Sequence, residues 1–264
     1  TSVYGYPGLI TNLAKMPDND GNFISRLQQP FLEALDNLKI ISFFCRQNPL
    51  IKTSWLLKDI GEVKELGNTI AIDLSQSSHD QLKMMSKGHK YDIRKARTAG
   101  VSVYEDEKFR RIDDFIAMYK DTMARLKAGN YYFFDNKYFY DLKKLLKSRV
   151  KLLFAEKDGI LISASIFFFT GSIIQYHLSA TPEQFIKYSG AKVILDEIRN
   201  WGTVHGFKWL HLGGGYGSSE DNIYRFKAGF SELKNRYVNI RIIVDSEAYS
   251  KVVAARKQAL GNEQ

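Results

Sequence analysis

Residues 209–230, WLHLGGGYGSSEDNIYRFKAGF, decide how this chain is read. Trp209, Leu210 and Leu212 suit a short buried strand. Gly213, Gly214 and Gly215 end it with backbone that can approach a ligand closely and adopt conformations other residues avoid. Ser218 or Ser219 can cap a helix over 219–229, with Glu220 and Asp221 in its first turn where the dipole favours acids. On that helix Ile223, Phe226 and Phe230 recur at spacings of three and four and so face inward, which sets Lys227 at the edge of a buried stripe. The segment has neither the lysine-serine/threonine ending of a P-loop nor the GxGxxG spacing of a dinucleotide fingerprint. It is a ligand-binding turn of another kind or a plain chain reversal.

Outward from this stretch, helices and strands alternate without an internal repeat. Upstream, 190–205 reads as helix and 207–212 as strand; downstream come strand 234–244 and helix 246–258. Three apolar runs at 150–157, 160–169 and 172–180 are separated by Asp158-Gly159 and Gly171-Ser172, both hairpin turns, and so form a meander. Helices over 109–127 and 137–148 bracket the aromatic loop NYYFFD at 130–135, and a helix over 79–99 ends at Gly100. Strands are expected at 40–44 and 70–74. A helix over 22–38 puts Ile24, Leu27, Phe31 and Leu35 on one face, with Pro30 expected to kink or divide it. Antiparallel strands followed by helix, strand, helix and strand give an α+β class.

The 264 residues, 44% hydrophobic, can bury one large core or two modest ones. Thirty-eight basic residues against 29 acidic ones leave a net charge of +9, which points to anionic partners such as a nucleotide, a phosphate-bearing carrier, RNA or the inner face of a membrane. A lone cysteine, Cys45, excludes an intramolecular disulfide and suits a reducing, cytoplasmic setting. Apolar runs are strand-length, well short of the ~18 residues a membrane helix needs, so no transmembrane segment is expected. No secretory signal is expected. Because the chain opens on Thr-Ser rather than methionine, residues are expected to be missing before it, leaving its first lobe incomplete.

Three further constellations carry chemistry. In KGHKYDIRKARTAG (87–100), Lys90, Arg94 and Arg97 share a helical face, a positive stripe suited either to phosphates or simply to solvent. Tyr131, Tyr132, Phe133 and Phe134, with Tyr138 on the next helix, can divide between core filling and a cleft that stacks on a ring, sugar or base. In SIIQYHLSA (172–180), strict alternation puts Gln175, His177 and Ser179 on one side and Tyr176 and Leu178 on the other. No metal is expected, since His205 and His211 stand six apart and no HxH or HExxH spacing occurs. Ser179 with His177 makes no hydrolase triad without a GxSxG elbow.

The run LGGG…D.IYRFKAGF, preceded by YSGAKVILDEIRNWGTVHGFKWLHL and earlier by KYDIRKARTAGVSV, resembles the FemABX-like (Fem-type peptidoglycan aminoacyltransferase) branch of the GNAT acyltransferase superfamily, over about residues 85–245. Its most specific element is Phe226-Lys227 followed by Gly229-Phe230. The resemblance implies an α+β, GNAT-like fold of two lobes. The first, partial lobe would span 1–98 and be completed by 240–264; the second, at 99–239, would carry the FKxGF segment. It implies an N-acyltransferase that moves an aminoacyl or acyl group onto an amine in peptidoglycan or polysaccharide synthesis. Lys227 would supply positive charge at the reacting carbonyl and Phe226 would shape the donor pocket. The amides of Gly213, Gly214 and Gly215, with Tyr216 and Arg225, would contact the donor. Tyr132, Phe134 and Tyr138 would line the acceptor side, Tyr176 and His177 the strand bordering the donor channel, and Lys90 and Arg94, in the segment that joins the two lobes in that family, would serve substrate binding or lobe packing.

The donor would be aminoacyl-tRNA or acyl-CoA, and the acceptor an anionic nucleotide-linked or lipid-linked glycan, with association at a membrane surface. Two departures from the family pattern stand out. The donor loop reads Lys187-Tyr188-Ser189-Gly190-Ala191, with one glycine where a coenzyme A loop has two small positions, and Phe134 and Tyr138 stand where peptidoglycan-bridge members carry a basic residue just before a tyrosine. An acetyl-CoA-dependent N-acetyltransferase of amino sugars and a catalytically silent glycan- or nucleotide-binding module are the alternatives.

Overall fold

The computed structural model describes residues 5–13 and 21–261, and the Thr-Ser start lies outside them. In chain order the elements are α1 (Gly21–Asn37), β1 (Ser42–Arg46), β2 (Glu62–Asp73), α2 (Ser78–Met84), α3 (Lys87–Thr98), β3 (Ser102–Glu105), α4 (Ile112–Arg125), α5 (Asn136–Leu146), β4 (Val150–Lys157), β5 (Ile160–Thr170), β6 (Ile173–Ala180), α6 (Gly190–Val204), β7 (Trp209–Gly213), α7 (Asn222–Ala228), β8 (Lys234–Ile243) and α8 (Ser246–Gly261). The chain divides into two compact units: Thr1–Asn68 with Asn235–Gln264, and Thr69–Lys234. An expected division after residue 98 would assign α2 and α3 to the first unit. By compactness they fall in the second, because Ile93 and Ala96 of α3 share a core with Val193, Ile194 and Ile198 of α6.

In the first unit β1 pairs antiparallel with β8, Phe43 opposite Ile242 and Cys45 opposite Ile240. Cys45, Leu56, Leu57, Ile240 and Ile242 form its core, and Phe31 of α1 meets Phe43 edge-on at 5.3 Å. Helix α1 runs through Pro30 as one element rather than two pieces.

In the second unit the strand order is β2-β7-β6-β5-β4-β3. All neighbours are antiparallel except β6 and β7, which run parallel where Ile173–Gln175 meets Trp209–His211. Both faces are covered. Leu153 and Ala155 of β4 join the α3/α6 core, while Leu152 and Phe154 join Phe115, Tyr119, Phe139 and Leu142 of α4 and α5. Two-sided burial explains why β4 and β5 read as almost unbroken apolar runs. The expected helix over 79–99 is two helices, each with its own serine cap: Ser77 Oγ accepts from Asp80 N and Ser86 Oγ from His89 N, both at 3.2 Å. Strand β3 and the charged first half of β2 escaped the sequence reading, because neither has an apolar alternation to announce it. Among the described residues no helix is long and apolar enough to cross a membrane.

A buried arginine of α6, ion-paired within its own helix, ties α6 to α2 by hydrogen bonds. Arg199 is 2% exposed; its Nη2 donates to Asp196 Oδ1 at 2.7 Å and its Nη1 to Gln81 Oε1 at 2.8 Å and Ser78 Oγ at 3.0 Å. Removing one member of such a pair strands the other's charge, which costs about 3–5 kcal/mol. Asp196→Ala should therefore lose stability on that scale in urea unfolding. A loss below about 1 kcal/mol, the scale of a surface pair, would contradict this account of the contact.

Candidate functional site

Strand β7 ends in a left-handed turn at Gly213, φ 81°. Two residues on, a Cβ at position 215 would lie 2.1 Å from Ser219 O and 2.4 Å from Asp221 Oδ1, so only glycine fits. Asp221 organises the loop. Its Oδ2 accepts from Tyr216 N at 3.0 Å and its Oδ1 from Tyr224 N at 2.8 Å, making it the N-cap of α7. This corrects the expected cap at Ser218 or Ser219 and the placing of Asp221 inside the first turn. Ser218 takes φ 72°, and Ser219 Oγ turns back to Tyr216 O. The inward face of α7 is also corrected: Ile223 is exposed, and Tyr224 is the buried residue.

Lys227 points back at the loop and donates to Gly214 O at 2.6 Å. Burial pushes its ammonium down to about 8, against a smaller opposing pull from Asp221. The fully buried His211 is held at about 3 by burial and by the charge of Lys227. Its Nδ1 lies 2.7 Å from Gln175 Oε1; an amide oxygen only accepts, so Nδ1 carries the proton. Leu210 and Leu212 belong to the α3/α6 core, so His211 between them faces the opposite side of the sheet. Sequence reasoning missed His211 as part of the site. Its signal was a histidine between two core leucines, with Gln175 at the matching register of β6.

Strict alternation on β6 also fails. Ile166 pairs with Leu178 but Phe167 with Tyr176, so His177 is a bulge residue. Tyr176 stacks on Phe167 in the α3/α6 core, with its phenol at Ser165 and Ser179, while Leu178 joins the opposite core; His177 and Ser179 thus part company. His177 stacks on Phe168 at 3.9 Å and shares a 2.5 Å hydrogen bond with Tyr138 Oη, and Phe134 stacks on Tyr138 at 4.5 Å. Tyr132 lies 6.0 Å from Tyr216, and its carbonyl accepts from Tyr119 Oη at 2.9 Å.

Lys227, the loop from Gly213 to Tyr216 and Tyr132 are therefore linked by contacts, as are Phe134, Tyr138 and His177. Other candidates lie elsewhere. Phe226 packs against His89 and Phe230, and Arg225 is exposed on Asn222 Oδ1. Lys90 Nζ is bonded to Leu82 O at 3.1 Å, and Arg97 pairs with Asp196 and Glu197. Arg94 remains exposed, lining a shallow depression with Tyr91, Lys95 and Thr98. Among the described residues no cluster of three or more histidine, cysteine or acidic side chains could hold a metal.

His177, like His211, is lowered by burial to about 3. A histidine whose folded value lies below the unfolded 6.5 contributes stability in full above pH 6.5 and loses it as pH falls toward 3. Between pH 7.5 and 5.5 each should cost about 1.4 kcal/mol, roughly 3 kcal/mol for the pair. Urea unfolding at the two pH values checks this, and His177→Phe should remove about half of the drop. Imidazole titration near 6.5 for both rings would contradict the burial account.

Residues 56–159 match the FemAB family. No curated protein sequence is significantly similar to the chain. Among solved structures, FemX superposes with a TM-score of 0.67 at 14% identity, covering 85% of this chain and 78% of that one. The C-terminal domain (DUF2156) of a putative lysylphosphatidylglycerol synthetase from Agrobacterium fabrum superposes at 0.61 with 13% identity, covering 92% and 78%. L-PGS from Bacillus licheniformis gives 0.56 at 12% identity, covering 86% and 76%. At such identities the likeness is one of fold: residues 56–159 match the FemAB family, and the chain shares an α+β fold with FemX.

Proposed function

We propose that the protein is an N-acyltransferase that moves an aminoacyl or acyl group onto an amine acceptor in cell-envelope biosynthesis. The observation that carries this reading is the partly buried Lys227 ammonium held at the glycine loop. In such a transfer the amine attacks an ester or thioester carbonyl, a C–N bond forms, and the C–O or C–S bond breaks as the leaving group takes a proton. Charge gathers on the carbonyl oxygen in between. A desolvated cation aimed there stabilises the transition state more than the ground state. The names of the fold relatives, FemX and lysylphosphatidylglycerol synthetase, agree with aminoacyl chemistry at the envelope.

The donor we favour is aminoacyl-tRNA. A coenzyme A site of the ordinary kind uses small residues at a helix start to let phosphate approach backbone amides. At the start of α6, a Cβ on Gly190 would lie 2.9 Å from Ser163 Cβ and 3.2 Å from Ala155 Cβ, so its smallness serves packing on the sheet. Neither acid of the loop is poised as a base. Asp221 uses both oxygens as a cap, and Glu220 is an exposed partner of Lys234. The acceptor side falls to the aromatic group of Phe134, Tyr138 and His177, and to the Tyr132–Tyr216 pair beside the loop.

Lys227→Met keeps the packing of the stem and removes the charge, so turnover should fall by a factor on the order of a hundred or more. Melting temperature should hold or rise, because the folded protein at pH 7 bears a partly buried charge that methionine lacks. In the unchanged protein, activity that needs the ammonium should decline as pH rises through about 8. Transfer from alanyl-tRNA and from acetyl-CoA to a uridine-diphosphate-linked muropeptide and to glucosamine measures both. Equal activity of Lys227→Met would remove Lys227 from the mechanism.

Binding to tRNA should weaken steeply with salt, and Arg94→Gln should lower the slope of log affinity against log salt by about 1. Tight acetyl-CoA binding with a shallow salt response, and no tRNA binding at low salt, would move the donor to a thioester.

A further inference from the structure

Helix α7 has only seven residues, and isolated helices below about 12–15 residues are marginal in water. Its last carbonyls need donors from elsewhere. Arg225 O takes Gly229 N at 3.1 Å and Lys227 O takes Phe230 N at 3.0 Å, so Phe226 O lacks the amide that a longer helix would offer it. That carbonyl is instead 2.9 Å from His89 Nε2, and Gly229 O accepts from Ser86 N at 2.9 Å. Both groups come from the start of α3. The imidazole lies edge-on to Phe230 at 4.6 Å and tilted to Phe226 at 5.6 Å. A Cβ at position 229 would lie 2.4–2.8 Å from three atoms of this ring, so the glycine of FKxGF is the space the histidine occupies.

We propose that His89 is a positioning residue for Lys227: it holds the 226–227 peptide, and through it the lysine stem, so that Nζ stays on Gly214 O. The catalytic meaning of this tie rests on the acyl-transfer reading; its geometry does not. A carbonyl only accepts, so His89 must carry its proton on Nε2. Burial, with the Lys192 ammonium nearby, lowers the ring's affinity for a second proton, although Asp92, paired to Lys192 at 2.5 Å, pulls the other way. The neutral Nε2–H form is therefore the working one.

Two measurements on the whole protein decide the matter. Histidine 15N spectra should show Nε2 of His89 protonated and Nδ1 bare; the opposite tautomer would overturn the proposal. Titration of 13C-labelled lysines should show the Lys227 resonance moving from about 8 toward the ordinary 10.5 in His89→Leu, which keeps bulk and loses the donor. His89→Gln, whose amide nitrogen reaches nearly the same place, should restore a value close to 8. An unchanged Lys227 titration in a folded His89→Leu protein overturns the tie. Should that variant fail to fold, Gly229→Ala takes its place: it displaces the ring and should move Lys227 the same way, and no movement there overturns the tie equally. In the alanyl-tRNA transfer assay, His89→Leu should lower kcat roughly tenfold with little change in KM, as expected for misplacement of a catalytic group. If Lys227→Met kept full turnover, the acyl-transfer reading would fail while the titration still judged the tie.

Discussion

An ammonium taken out of water needs an oxygen, and in this protein Lys227 finds one in the carbonyl of Gly214. Much of the local chain is shaped by that need. The carbonyl can face the lysine because Gly213 turns the chain through positive φ at the end of β7 and Gly215 lets the returning strand pass against Ser219 and Asp221. Asp221 closes the loop from the other side by gathering the amides of Tyr216 and Tyr224 on one carboxylate. From α7 the lysine is aimed back at the strand it follows. The result is a cation that a single carbonyl satisfies only in part, which leaves two of its three donors for an incoming oxygen.

The sheet supports this arrangement from beneath. Gln175 and His211 face each other where β6 and β7 run parallel, and the 2.7 Å bond between them keeps a neutral imidazole close to the lysine's charge. Two residues farther along β6, the bulge at His177 turns that ring onto Phe168 and Tyr138. A bulge re-aims one side chain without disturbing the strands on either side. Leu178 keeps its place in the α4/α5 core, and Tyr176 keeps its place in the α3/α6 core.

What the sequence made legible followed from periodicity and from turn chemistry. The meander of β4, β5 and β6 was readable from apolar runs set between Asp158-Gly159 and Gly171-Ser172, and α6 from its apolar stripe. Lys227 and the glycine run stood out as a pair, and the structure joins them directly. What escaped depended on partners distant in the chain. Nothing local in FKAGF says that Gly229 makes room for His89, and nothing in SIIQYHLSA announces that His177 is the extra residue of an irregular pairing. Capping by Asp221 rather than by serine depends on a loop conformation set by Gly213 and Gly215. The basic stripe of α3 was visible as a pattern, yet two of its three members are spent inside the protein, on Leu82 O and on Asp196 with Glu197.

The central claim is that Lys227 is a desolvated ammonium poised near neutrality at the glycine loop. It is tested most directly by following the 13Cε resonances of labelled lysines in the unaltered protein across pH 6–12, with Lys227 assigned by the peak that Lys227→Met lacks. The account predicts one lysine titrating near 8 while the exposed lysines titrate near their ordinary 10.5. A Lys227 resonance that titrates with the exposed lysines would mean that the side chain is hydrated, and the reading of this loop as a charge-stabilising site would be contradicted.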